Sequence, residues 1–496
     1  MSAKTLNDWA GWAAQIEIEG QCFIDGRYRE ALDGRSFDKH SPLDGRRLAA
    51  IARCGQADVD LAVACARRAF DAGHWSRMAP VQRKRTLLYF AELLERHAEE
   101  LALLETLDMG KPIAHSLATD VPGAANAIRW SAEAIDKVYG EVAATADDQL
   151  GLVTREAVGV VGVIVPWNFP LLMASWKLGP ALACGNSVIL KPSERSPLTA
   201  IRIAQLASEA GIPDGVFNVL PGFGAEAGNA LSLHMDVDAI AFTGSTNIAK
   251  RLMVAAGQSN LKRVWTEAGG KSPNLVFADA PDLRAAATSA AAAIAYNQGQ
   301  VCTAGSRLLV QRSVKDEFLE HLRDALQAWT PANALDPASR YGALVDAQHL
   351  EQVKGYVASG VEEGARLFVG GLDGTRDSGC YLAPVVFDGV RNDMRIAREE
   401  IFGAVLSVIA FDDAEEAVAI ANDTPYGLAA GLWTSNLSRA HQVARALRAG
   451  SVWVNQYSGG DMTAPFGGFK QSGNGRDRSL HAFDKYTELK ATWIKL

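Results

Sequence analysis

The sequence predicts an α/β protein centred on a parallel, doubly wound sheet, with a second α/β unit beside it. Three observations carry this. From residue 160 onward, short β-branched runs alternate with helical stretches. The runs are apolar at nearly every position, as strands are when both faces are covered. The length of 496 residues exceeds one simple core at roughly 100–200 residues per domain, so two or three domains are expected.

Residues 1–135 read mostly as helix. Asp58 is the expected N-cap of a first helix with Val59, Val63, Ala66 and Phe70 on one face, and Gly73 suits its stop. A second helix from about Val81 carries Leu87, Phe90, Leu94 and Leu101. Sheet strands follow at 160–165, 187–191, 216–220, 239–242 and 263–266, with helices near 171–183, 198–210, 225–233 and 246–256. Ligands of such sheets bind at the carboxyl ends of the strands. Beyond Gly270 come an Ala-rich helix at 285–296, a strand at 306–311, a helix at 314–329 and strands near 405–411 and 451–455. With no low-complexity linker between them, the two α/β regions are expected to pack together around a cleft. Segments 141–156 and 485–496 fit neither region and read as loose ends or an assembly surface.

Composition narrows the function classes. Hydrophobic residues at 48% and charged residues at 21% suit a soluble globular protein. A net charge of −8 does not provide a nucleic-acid footprint. The N-terminus lacks a basic region followed by an apolar stretch, so no signal peptide is expected. The apolar run 157–176 is broken by Pro166, Asn168 and Pro170, which suits strand, turn and helix better than a membrane span. Cys22, Cys54, Cys65, Cys184, Cys302 and Cys380 include no C-x-x-C pair and no zinc spacing, so free thiols in a reducing compartment and no metal are expected.

Five short segments carry chemistry. In Gln298-Gly299-Gln300-Val301-Cys302, a thiol follows a helix and a glycine; it is either a nucleophile or a core thiol. Glu267-Ala268-Gly269-Gly270-Lys271 ends the fifth strand, placing a carboxylate at the crevice as a base for water or as a turn cap. Pro166-Trp167-Asn168-Phe169-Pro170 ends the first strand; its uncharged amide can donate to an oxyanion or make an Asx-turn. After the second strand, Lys191 and Glu194 suit ribose hydroxyls, and the Glu194 charge disfavours a 2′-phosphate, so NAD is favoured over NADP. Phe242-Thr243-Gly244-Ser245-Thr246 opens a helix whose N–H groups suit a pyrophosphate, although no G-x-G-x-x-G is present. The last two also read as ordinary strand-to-helix turns.

Together PWNFP, KPSE, FTGST, EAGGKSP, GQVC, EEIFG and PFGGFKQSGNGR occur in the order and spacing of the NAD(P)-dependent aldehyde dehydrogenases, which the chain resembles from about Phe23 to its end. The resemblance implies Cys302 as nucleophile, Glu267 as the base for deacylation and Asn168 as oxyanion donor. It implies Lys191, Glu194, Ser245, Glu400 and Phe402 as cofactor contacts, with Pro166, Trp167, Ser193, Gly244 and Gly269 on the same motifs. Glu267 argues against the coenzyme A-acylating branch.

The resemblance further implies a Rossmann-type cofactor domain (1–137 and 157–268), a catalytic domain (269–480) and a small β oligomerisation element (138–156 and 481–496), hence a cytoplasmic homodimer or dimer of dimers. Asn247, Thr266 and Ala404 depart from the family pattern, and Ala404 is expected to loosen the Glu400–Phe402 loop.

ALLETLDMGKPI, IRWSAEAIDKVYGEVAAT and the segment from YSGGDMTAPFGG onward resemble the polyamine-catabolic branch, which oxidises 4-guanidinobutyraldehyde or γ-glutamyl-γ-aminobutyraldehyde. A cationic ω-end calls for carboxylates and aromatic faces. Asp120, Trp130, Phe169, Trp176, Asp461 and Phe466 are the candidates, with Asp120 expected at the tunnel entrance. A broad-range or betaine-type aldehyde dehydrogenase is the alternative within the class. A non-catalytic family member and a cysteine hydrolase are the alternatives outside it. Retention of Cys302 and Glu267 opposes the first, and the cofactor motifs oppose the second.

Overall fold

The structure, a computed structural model, describes residues 4–372 and 379–496. Its first sheet has seven strands in the order Arg263–Ala268, Ala239–Gly244, Val160–Ile164, Ser187–Lys191, Phe217–Val219, Cys22–Ile24 and Arg27–Arg29. The first five are parallel. Val160–Ile164 and Ser187–Lys191 are buried at every position, which is why their sequences do not alternate.

The N-terminal region departs from the helical expectation. Cys22–Ile24 and Arg27–Arg29 form a hairpin that extends the sheet antiparallel, and Ser36–His40 pairs with Arg47–Ala52 in a separate ribbon. The hairpin turns through Asp25 and Gly26, both at positive φ (55° and 77°), the geometry a tight two-residue loop requires. Three-residue strands are too short to show a period, so only the turn dipeptide marked them. The first helix of the following pair runs Gln56–Ala72, and its N-cap is Gly55, one turn before the expected Asp58. Asp58 accepts from the Gly55 and Leu32 N–H groups, both at 2.8 Å, and so ties the helix start to the preceding loop.

The second sheet has the order Arg366–Val369, Val385–Asp388, Val405–Phe411, Arg307–Gln311, Pro273–Val276, Ala429–Trp433 and Ser451–Val454. It is parallel except for the first pair. Both sheets thus present strand ends that lead into the motif loops. The two unassigned segments meet: Thr487–Lys495 pairs antiparallel with Gln149–Ala157, whose other edge takes Glu141–Ala143. Among the described residues no helix is long and apolar enough to cross a membrane.

Candidate active site

The helix Leu283–Ala295 starts from the Asp282 cap, whose Oδ1 accepts from Ala285 N–H at 2.9 Å. Its alanine-rich face is buried. It gives way to the turn Tyr296–Gly299, in which Asn297, Gln298 and Gly299 are all left-handed (φ 49°, 58° and 74°). Three such residues in a row are costly and reverse the chain abruptly, leaving Cys302 half-buried beyond the turn. Only glycine fits at 299, because a Cβ there would overlap Gly403 and the Ala404 nitrogen. The catalytic turn therefore packs directly on the loop that follows Phe402.

Buried amides lock this turn to the Pro166–Pro170 loop. Asn168 Nδ2–H donates to the Gln300 carbonyl at 2.8 Å, and Asn297 Nδ2–H donates to the Asn168 carbonyl at 3.0 Å. One Asn168 amide hydrogen remains without a partner among the described residues. Asn297 was missed in the sequence; its only signal was the tolerance of asparagine for left-handed backbone.

Glu267 is buried at the end of Arg263–Ala268, with Oε1 unbonded among the described residues. Burial pushes its carboxyl up to about 8, Lys177 opposes that, and Asp477 and Glu400 reinforce it. Burial also raises the Cys302 thiol well above its ordinary range, helped by the Glu267 and Glu400 carboxylates. These interactions place all three groups in one electrostatic unit. Glu400 Oε1 accepts from Gly270 N–H at 3.2 Å, and burial lifts its carboxyl to about 7. A Cβ at Gly269 would overlap that carboxylate.

Lys177, Asp477 and Lys485 form a buried cluster that sequence reading missed. Lys177 Nζ lies 2.9 Å from Asp477 Oδ2, and Lys485 bonds Oδ1. Burial works against the Asp477 charge, but the two lysines outweigh it and hold the carboxyl down to about 2. The lone Lys177 within the apolar run 171–183 was the available signal. The Thr266 departure also has a reason: its N–H and hydroxyl both donate to Asn474 Oδ1, at 2.8 and 3.1 Å, docking the C-terminal motif beside Glu267.

The expected cofactor residues lie at the strand ends of the first sheet. Lys191 is buried, with Nζ 3.3 Å from Glu194 Oε2. Ser193 Oγ accepts from Arg195 N–H at 3.2 Å. Ser245 is the exposed N-cap of Thr246–Gln258, and Gly244 closes the strand before it. Trp167, next to Pro166, meets Phe402 edge-on at 5.1 Å between ring centres, and His349 at the same distance. His349 Nε2–H donates to the Phe402 carbonyl at 2.7 Å. This bond and the Gly299 contact hold the loop in which Ala404 replaces the family's usual proline.

The expected substrate residues divide. Trp176 and Phe466 pack edge-on at 5.2 Å, and Phe169 stacks at 6.4 Å from Tyr296. Trp130 is half-buried on Val121–Ala134 against the main core. Asp461 is exposed, its Oδ1 accepting from Thr463. Asp120 differs from the expected tunnel-mouth position. It is fully buried, with Oδ1 2.6 Å from Lys111 Nζ, and Lys111 also faces Glu105 at 3.7 Å. An isolated buried carboxylate is too costly, so Asp120 is neutralised from within and does not face solvent as a free anion.

A sequence model of the Aldehyde dehydrogenase family matches residues 28–492. The NADP/NAD-dependent aldehyde dehydrogenase PuuC of Escherichia coli K12 is 57% identical over 498 residues, covering 100% of both chains. Among solved structures, the P. syringae AldA indole-3-acetaldehyde dehydrogenase, a mutant complexed with NAD+ and IAA, is 68% identical with a TM-score of 0.98 and full coverage of both chains. The γ-glutamyl-γ-aminobutyraldehyde dehydrogenase of Burkholderia cenocepacia J2315 is 62% identical with a TM-score of 0.97, covering 99% of this chain and all of that one.

Proposed function

The chain belongs to the aldehyde dehydrogenase family, and from that premise we propose that it oxidises ω-nitrogen aldehydes to carboxylates through a thioester on Cys302. The convergence of Cys302, Glu267 and Asn168 carries this reading. Cys302 gives its thiol proton to the Glu267 carboxylate, from which it passes to solvent, and the thiolate Sγ adds to the aldehyde carbon as the carbonyl π electrons move to oxygen. The oxyanion that forms takes the free Asn168 amide hydrogen and the Cys302 N–H, donors each worth about 2.7–4 kcal/mol in a transition state. Bound NAD(P)+ supplies the hydride acceptor. The acyl group stays on Cys302 as a thioester, Glu267 takes a proton from water, and the attack of that water releases the carboxylate and restores the thiol.

The strand ends fit a dinucleotide. Among the described residues, buried Lys191 Nζ has only Glu194 as a partner and buried Thr243 Oγ1 is unbonded, and a capped helix start opens beside it. Lys191, Ser193 and Glu194 would hold the adenosine ribose. Gly244 and Ser245 would hold the pyrophosphate. Glu400, Phe402, Pro166, Trp167 and Gly269 would frame the nicotinamide end. The Glu194 carboxylate favours NAD over NADP.

The ω-nitrogen substrate class rests on the γ-glutamyl-γ-aminobutyraldehyde dehydrogenase relative and on the Trp176–Phe466 aromatic wall. The same wall supports an aryl acetaldehyde as a second reading, given the AldA relative. Residues 1–137 with 157–268 and residues 269–480 then serve as cofactor and catalytic domains, and 138–156 with 481–496 as the oligomerisation element of a cytoplasmic dimer or tetramer. The deciding assay follows NADH formation with γ-glutamyl-γ-aminobutyraldehyde, 4-guanidinobutyraldehyde, 4-aminobutyraldehyde, betaine aldehyde, indole-3-acetaldehyde and propanal, with Cys302→Ala as control. The ω-nitrogen aldehydes should lead propanal by about tenfold or more in kcat/KM. Parity with propanal would leave a generalist, and an active Cys302→Ala would sink the thioester.

A further inference from the structure

Arg478 is the charged group at this site that the chemistry above leaves unused. Its guanidinium lies over the Trp176 ring at 4.1 Å and beside the Phe466 ring at 5.3 Å. Among the described residues it has no hydrogen bond and no ion pair, and its Nε is buried without a partner. Neither neighbouring carboxylate hydrogen-bonds it among the described residues, although the Asp477 and Asp461 charges both attract it. Asp477 is taken by Lys177 and Lys485, and Asp461 bonds Thr463 through Oδ1 alone. Arg478 and Ser479 are both left-handed (φ 58° and 49°). They are pinned by the bonds Asp477 N–H to Phe466 O (2.7 Å) and Ser479 N–H to Met462 O (2.8 Å). Strained backbone is therefore spent on aiming an unpaired guanidinium at an aromatic wall within electrostatic reach of Cys302.

We propose that Arg478 is a specificity-determining residue that binds a carboxylate at the far end of the aldehyde, with Asp461 receiving an adjacent ammonium. This rests on the ω-nitrogen reading and narrows it to chains ending in a zwitterionic α-amino-acid head. A guanidinium fork matches a carboxylate with two parallel hydrogen bonds, and stacking on Trp176 holds it ready at little entropic cost. A purely cationic end, such as a substrate guanidinium, meets Asp461 but finds no use for Arg478, so it should trail the zwitterionic end while still leading propanal; buried Asp120 is already committed to Lys111. Asp461 Oδ2, exposed and without a partner among the described residues, is the complementary anion.

The test compares kcat/KM for γ-glutamyl-γ-aminobutyraldehyde with that for the same aldehyde bearing a carboxamide in place of its α-carboxylate. In the parent enzyme the carboxylate form should lead by about tenfold or more. Arg478→Gln should collapse that ratio to within about twofold, chiefly through KM, and Arg478→Lys should restore part of it. A parent ratio within about twofold, or a ratio that survives Arg478→Gln, overturns the proposal. If Arg478→Gln does not fold, the parent ratio and the Lys variant decide. Propanal and 4-aminobutyraldehyde on the same preparations separate the two readings. Propanal equal to the ω-nitrogen aldehydes defeats the substrate class, whereas a flat carboxylate-to-carboxamide ratio with propanal still trailing defeats only the Arg478 assignment.

Discussion

As the proposed base Glu267 acts only when ionised, yet burial pushes its carboxyl up to about 8. Turnover limited by deacylation should therefore rise with pH through about 8 and level off above it. Asp477 raises and Lys177 lowers that value, so Asp477→Asn should move the rising limb of kcat against pH to lower pH, and Lys177→Met to higher pH. A limb that stays in place in both variants would disconnect the cluster from the base. Asp477→Asn also leaves two buried lysines without their anion, and a stability loss of about 3–5 kcal/mol should appear in chemical denaturation. Cys302, Glu267 and Asn168 were legible because each stands in a short turn with a distinctive sequence. Lys177, Asp477 and Lys485 were not, because Lys177 and Asp477 lie 300 residues apart and only folding brings them together. Arg478 was not singled out in the sequence; that no described residue hydrogen-bonds or ion-pairs its guanidinium is visible only in three dimensions.

At the scale of the element, the catalytic turn and the Glu400–Phe402 loop brace each other. Gly299 leaves room for Gly403 and Ala404, and His349 anchors Phe402 by its carbonyl. His349→Ala should raise the KM for NAD by about three- to tenfold, equivalent to one lost hydrogen bond, with a smaller change in kcat. An unchanged KM for NAD would show that the loop holds its position without that bond. The sheet strands of the first α/β unit were readable because buried parallel strands are apolar throughout. The hairpin Cys22–Ile24 and Arg27–Arg29 was not, since three residues carry no period. Asp58 misled because an aspartate reads the same whether it caps from the N-cap or from one turn inside the helix; the backbone alone distinguishes them.

At the scale of the molecule, Thr487–Lys495 closes a chain-long loop by pairing at nine positions with Gln149–Ala157. The resulting sheet carries Leu489 and Trp493 on one face, 61% and 64% exposed, an apolar surface that monomers seldom leave open. With this face as the proposed oligomer contact, the double substitution Leu489→Glu, Trp493→Glu should lower the sedimenting mass while leaving the fold intact; a parent that sediments as a monomer, or a mass unchanged by the substitutions, would overturn that role. The sequence by itself determined the α/β class and the order of the motifs, and through them proposed three catalytic side chains. Apolar runs must be buried, which fixes the class; the roles of Cys302, Glu267 and Asn168 came only from the resemblance that the ordered motifs carry, because each segment alone also reads as a core thiol, a turn cap or an Asx-turn. Only the tertiary structure decided that segments 141–156 and 485–496 form one sheet, that Asp120 pairs with Lys111, and that the Arg478 guanidinium has ring contacts but no hydrogen bond or ion pair among the described residues. Each of these depends on which distant groups meet. Burial then sets the cost of leaving a charge unpaired, and a linear sequence does not record burial.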